Sequence, residues 1–279
     1  MLRAYKNFYK RRIDIPVKWD ALVLDVGSGD KPHWRADVLC DLYPETSYAY
    51  QRSGGGPALV TAPLVIGDVQ KLPFKDKSFD FVVASHLLLN VPDVEAACNE
   101  LMRVAKAGYI EVAAEGHAKI NDFESHLWWC HKNGRRLVFK PKESMQYDAE
   151  IYDFSRALIR RKVWFEKIVH PHFDLVTNEM HWRDKFDYEV VDTVNDDLIN
   201  EVADFEKYQH RPPRNKESLS LKLFRKSLKI LMWHKTRKDP FYLESVLQCP
   251  ESGDKEIVKV HDDLYRGKSS GEEIRLRGI

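Results

Sequence analysis

Five carboxylates, two glycines and two histidines fall where apolar runs end, and there they could do chemistry. VLDVGSGD (Val23 to Asp30) is an apolar run containing Asp25 that breaks into Gly27-Ser28-Gly29. Asp41 closes ADVLCD (36–41) and Asp68 closes PLVIGD (63–68). Ser85 and His86 close KSFDFVVASH (77–86), and YIEVAAEGH (109–117) ends with Glu115 and His117. The two glycines let a backbone approach a ligand with no Cβ in the way. A carboxylate only accepts hydrogen bonds, so Asp41 suits a ribose diol and Asp68 the exocyclic amine of an adenine. Gly-x-Gly also opens dinucleotide sites, but those want a third glycine at the sixth position above a full helix. Here the sixth position is Pro32, and DKPHWR is too short for a crossover helix.

Such residues need strands to carry them. Short apolar runs over 21–26, 36–41, 63–68, 77–86 and 109–117 alternate with crossovers, which predicts a doubly wound, mostly parallel α/β sheet. In such sheets ligands bind beyond the carboxyl ends of the strands. The apolar spacing of Val94, Cys98, Leu101 and Val104 predicts a helix over 92–108, stopped by Gly108. Asn133-Gly134 lies between two β-prone runs in 126–142, a strong hairpin signal. A helix is expected over 149–169, and 173–182 with 186–192 read as an antiparallel hairpin closing the sheet edge. Residues 1–20 read as a lead-in helix or arm. Gly54-Gly55-Gly56 reads as a surface loop.

The chain has 279 residues, 43% of them apolar, with net charge +1. Near-neutral charge gives no global attraction to nucleic acid. Cys40, Cys98, Cys130 and Cys249 are widely spaced and form no CxxC pair, which points to a reducing compartment. No run approaches the roughly 20 apolar residues of a membrane span. Three segments are expected: 1–205, a basic linker and helix over 206–240, and a small metal-free appendage over 241–279. Between Arg214 and Lys238 there are nine Lys or Arg and one acid, Glu217. The helix expected over 219–238 is amphipathic and could rest on an anionic membrane, although packing of its apolar stripe on the domain is the simpler reading.

The stretch 23–112 resembles the class I S-adenosylmethionine-dependent methyltransferases. VLDVGSGD is similar to their first motif, GDVQKLPFKDKSFDFVVASHLLLNV to their third- and fourth-strand motifs, and ELMRVAKAGYIEV to their fifth. The resemblance implies S-adenosyl-L-methionine as cofactor, bound by Asp25, Gly27, Ser28, Gly29, Asp41, Asp68, Val69 and Ser85. A narrower resemblance, to methyltransferases of glycan and surface-polysaccharide gene clusters, implies methyl transfer to a sugar hydroxyl. The base would be His86 or His117, with Glu115 orienting it or binding substrate. Trp128, Trp129, Arg135 and Lys140 would then contact a sugar or lipid-linked glycan, in a cytoplasmic enzyme touching the inner membrane face. Methylation of RNA or a translation protein, and a non-catalytic scaffold, are the alternatives. No histidine pattern calls for a metal. The tail resembles, in degenerate form, the zinc-ribbon proteins that activate RNA and release-factor methyltransferases. Cys249 there stands alone, and the chain is expected to continue past Ile279.

Overall fold

The computed structural model describes residues 15–45, 57–144 (apart from 121, 122 and 124), 171–203 and 219–277 (apart from 236), with isolated positions 154, 157 and 167. The lead-in arm, the Gly54–Gly56 loop, the helix expected over 149–169 and the linker near Arg211 lie essentially outside these residues.

The fold is built on a mixed, centrally parallel α/β sheet. Strands β1 (Val23–Val26), β2 (Val38–Asp41), β3 (Leu64–Ile66), β4 (Phe81–Ser85) and β5 (Ala107–Ala113) pair in parallel in the order β3-β2-β1-β4-β5. Strands β1, β2 and β5 are buried at every position, and that is why they read as continuous apolar runs rather than alternating ones. Helix α1 (Val94–Val104) follows β4. Asp93 caps it by accepting from Ala96 N at 2.8 Å. Its buried stripe, Val94, Ala97, Cys98, Leu101 and Val104, closes one sheet face. The helix ends before Gly108, which lies inside β5. A Cβ there would meet the Trp182 indole at 2.7 Å, so Gly108 serves packing and not capping.

Residues 128–141 form the expected hairpin, β6 (Trp128–Asn133) and β7 (Arg136–Pro141), with Gly134 at φ +59° in the turn. The second expected hairpin does not form. Residues 173–176 make one helical turn. Strand β8 (Thr177–Arg183) then joins β5 antiparallel, while β9 (Asp187–Val190) runs parallel to β7 in a separate three-stranded sheet. Between them the chain turns at Asp184, φ +63°, which lets Trp182 and Phe186 both bury. Residues 115–118 are helical, so β5 stops short of His117.

After the helix Leu219–Leu231, strands β10 (Ile257–His261), β11 (Leu264–Gly267) and β12 (Glu273–Arg277) form an antiparallel meander. Strand β12 pairs with the outer edge of β3, so the tail continues the main sheet to nine strands. The likeness to a zinc ribbon ends at Cys249. Asp254 accepts from Ser269 N at 2.8 Å, Ser269 Oγ at 2.7 Å and Ser270 N at 3.0 Å. Glu272 accepts from the amides of Glu251 and Ser252, each at 3.0 Å. Two carboxylates thus tie both knuckles of the tail. The Ser269 hydroxyl and nearby amides hold the Asp254 carboxyl far below its usual range. Among the described residues no group of three or more His, Cys, Asp or Glu is arranged to hold a metal, and no helix is long and apolar enough to cross a membrane.

The tail also grips the turn that follows Asp68. Lys75 N donates to Val246 O at 2.8 Å, Gln248 N donates to Pro73 O at 3.1 Å, and Leu247 is fully buried. Truncating Leu247 to Ala should destabilise the protein by about 2–4 kcal/mol through the cavity it leaves. Chemical denaturation of the full chain checks this, and an unchanged midpoint would mean that the tail is not part of the cooperative unit.

Candidate functional site

The carboxyl ends of β1 to β5 converge on one rim. Gly27 and Gly29 both hold left-handed backbone, φ +68° and +49°, which an L side chain rarely adopts. Gly27 N donates to Cys40 O at 2.8 Å, and Gly29 N donates to Asp41 Oδ2 at 2.9 Å. The glycine turn is thereby tied to the end of β2. Asp25 accepts from His33 N at 2.7 Å and fixes the short segment that replaces a crossover helix. Ser28 is buried with its hydroxyl unpartnered.

On the β3 side, Asp68 Oδ1 accepts from Gln70 N at 2.8 Å, and both of its carboxyl oxygens accept from Gln70 Nε2. Val69 is buried beside it. Glu100 and Arg103 of α1 clamp the following Leu72-Pro73-Phe74 turn. Glu100 accepts from Leu72 N at 2.6 Å, and Arg103 donates to Leu72 O and Phe74 O at 3.0 and 2.7 Å. Asp41 and Asp68 are therefore each held by backbone of their own neighbourhood, on a rim positioned by rigid elements.

The β4 end carries a second cluster. His86 is a non-glycine residue at φ +56°, a conformation that costs roughly 1 kcal/mol. Its amide donates to Glu111 O at 2.7 Å, and its Nε2 lies 2.9 Å from Glu111 Oε1. Glu111 is 1% exposed, whereas the His86 side chain is about half exposed, at 48%. Ser85 Oγ donates to Glu111 Oε1 at 3.3 Å, and the Tyr109 hydroxyl lies 2.7 Å from Glu111 Oε2 and 2.8 Å from Glu179 Oε1. The arrangement matches a base held by an orienting carboxylate.

Glu111 was missed in the sequence, where Glu115 stood as the orienting group. Glu115 instead meets Lys119 at 2.8 Å, His131 at 3.3 Å and Lys140 at 3.6 Å, and the Lys119 ammonium holds its carboxyl below the usual range. The available signal was that Glu111 is the one charged residue of an otherwise apolar strand. His117 lies near His86 and His126. Burial first, then the repulsion of those two rings, pulls its pKa down to about 4.

The expected acceptor residues disperse. Trp128 is buried with Nε1 donating to Val91 O at 2.7 Å, so it is core and cannot stack on a ligand. Trp129 is half-buried, with the Lys142 ammonium 4.8 Å from its ring. Lys140 is half-exposed beside Glu115. Arg135 sits at the hairpin tip, away from the β4 end.

A family model described as "Methyltransferase domain" matches residues 24–110. The fold is that of the class I methyltransferases, and S-adenosylmethionine is the cofactor of this domain. The chain is similar to a demethylmenaquinone methyltransferase of Thermobifida fusca (strain YX), 40% identical over 102 residues, covering 35% of this chain and 42% of that protein. It is also similar to a protein of that name from Roseiflexus sp. (strain RS-1), 45% identical over 97 residues, covering 33% and 38% of the two chains. Among solved structures, YcgJ of Bacillus subtilis aligns over 45% of this chain and 61% of that one, at 18% identity and a TM-score of 0.31. The chain therefore matches less than half the length of these curated relatives.

These names overturn the expected sugar or glycan acceptor and the placement in polysaccharide biosynthesis, since the acceptor they state is demethylmenaquinone. The membrane contact expected from the basic amphipathic pattern of 219–238 finds no support in these names.

Two outcomes test the geometry. Gly27→Ala should weaken S-adenosylmethionine binding about tenfold or more by calorimetry, because the turn must leave its left-handed conformation. His117 has a folded pKa below its unfolded value, so its contribution to stability is full above about pH 6.5 and is lost as pH falls towards 4. His117→Gln should accordingly flatten the fall in denaturation midpoint across that window by an amount on the order of 2 kcal/mol. An unchanged slope would deny His117 that role.

Proposed function

We propose that this protein is an S-adenosylmethionine-dependent methyltransferase in which His86, oriented by Glu111, takes the acceptor's proton as the methyl moves. The observation that carries the reading is the His86 Nε2 to Glu111 Oε1 contact at 2.9 Å, beside a rim that ends in Gly27, Gly29, Asp41 and Asp68. The sulfonium supplies the leaving group. What remains for the chain is to align donor with acceptor and to accept a proton. The buried carboxylate holds Nε2 of His86 and leaves Nδ1 for the acceptor's proton. His117, held neutral by its lowered pKa, adds no charge that would oppose this.

The names of the similar proteins support a quinol-type aromatic acceptor, whose ring hydroxyl ionises as carbon or oxygen attacks the methyl. The matched residues end at 110, before the β6–β7 hairpin, so the donor half has the broader support.

The test uses radiolabelled S-adenosylmethionine with 1,4-dihydroxynaphthalene as a quinol probe. His86→Ala should lower kcat by about 10²–10⁴-fold, and Glu111→Gln by about tenfold or more, with cofactor affinity within about threefold of the parent. Transfer at parental rate in His86→Ala would remove His86 as the base. Cofactor binding without transfer to the quinol would remove that acceptor class and leave the donor site standing.

A further inference from the structure

A cavity of about 520 Å³ opens where the hairpin tip meets the start of β5 and the end of β8. Strand β8 runs antiparallel to β5, with Arg183 opposite Ala107 and Thr177 opposite Ala113. The cofactor rim lies at the Ala113 end. At about 3.3 Å per residue, the Ala107 and Arg183 end of the cavity is therefore about 20 Å from it, at the amino ends of the parallel strands, while Met180 and His181 of its wall stand opposite Ile110 and Tyr109. No residue of the proposed methyl-transfer site lines it.

Four cations line this cavity: Lys132, Arg135, Arg183 and Lys185. Asp187 is the one carboxylate among the lining residues. Lys132 Nζ is held by Glu179 O at 2.6 Å, a neutral carbonyl that leaves its charge uncompensated. Arg135, Arg183 and Lys185 have no ion pair or side-chain hydrogen bond among the described residues, unlike Arg35, Arg103 or Arg136, each of which meets a carboxylate. Converging like charges raise the energy of the bare protein, and a bound anion relieves it.

The apolar wall comes from Trp182, which is 7% exposed and packs its indole on Gly108. Guanidinium and ammonium groups only donate. The polar lining is thus dominated by donors, at a place walled on its apolar side by Trp182 and Phe186. A monocarboxylate has too few acceptor sites for this set. A phosphate has three terminal oxygens and takes arginine in paired fashion.

We propose that this cavity is a binding site for a phosphate-bearing small molecule, separate from the methyl-transfer site. Either a diphosphate group alone or one attached to a flat ring, as in a nucleoside diphosphate, would supply the recognised chemistry.

Calorimetry on the full chain, saturated with S-adenosylhomocysteine so that the adenosyl site is filled, tests this with two probes, pyrophosphate and adenosine diphosphate. At least one should bind with a Kd of about 1 mM or tighter at low salt, and weaken as salt rises. Tighter binding of adenosine diphosphate would assign the apolar wall to a ring, and equal binding would assign the site to the anion alone. Arg135→Gln with Arg183→Gln, both on exposed side chains, should weaken binding about tenfold or more while the thermal midpoint and S-adenosylhomocysteine affinity stay at parental values. Lys185→Gln should weaken it as a second, independent change. Failure of both probes to bind, or binding unaltered in these variants, would overturn the proposal.

Discussion

A carboxylate buried in β5, between a parallel and an antiparallel neighbour, is the constraint that organises the acceptor side of this protein. Removing Glu111 from water costs several kcal/mol unless the charge is paired and hydrogen-bonded. The fold meets that cost with donors from two strands, Ser85 and the following His86 at the end of β4 and the Tyr109 hydroxyl within β5; Glu179 of β8 stands on the other side of the same phenol, which has one proton to give. His86 accepts left-handed backbone to reach it. Local strain that persists because its surroundings over-determine it is typical of functional sites. Glu111 therefore fixes the direction of the histidine and ties the end of β4 to β5.

Much of the donor half was legible because a single physical rule produced it. Parallel strands buried on both faces must be apolar throughout, and they break at glycine or aspartate where ligands approach. Val23–Val26, Val38–Asp41 and Phe81–Ser85 obey that rule, and Asn133-Gly134 obeys the equally local rule for tight hairpins. The failures were non-local. The alternation in 173–192 indicated extended chain, which forms only over 177–183 and 187–190, and nothing in it says that β8 and β9 enter different sheets. That follows from where Trp182 and Phe186 find burial, under Gly108 and beside Tyr188. Trp128 looked available to a ligand because a Trp-Trp pair on a strand must send its members to opposite faces, and the sequence does not say which goes inward. Glu111 was passed over because a lone acid in an apolar strand has no partner visible nearby; His86 is far away in sequence and adjacent only in space.

The acceptor lies on the far side of the same divide. Its expected determinants sit in the hairpin and in residues after 110, where the match to the family model stops. A cofactor site constrains residues by the fixed shape of one molecule. An acceptor pocket is assembled from whatever an insert supplies, and no single molecule's shape constrains its residues in the same way.

The pairing of β12 with β3 has a consequence for synthesis. Arg277 donates to Pro44 O across 233 positions of chain, and the adjoining strand pair spans a similar loop. Contacts between such distant segments close late, because the chain entropy of the intervening loop must be given up first. Until the tail has left the ribosome, the edge of β3 is an open row of amides and carbonyls beside the strand that bears Asp41. The nascent protein passes through a stage with a nearly finished donor fold and one unprotected edge, and that stage is where chaperones or self-association would act.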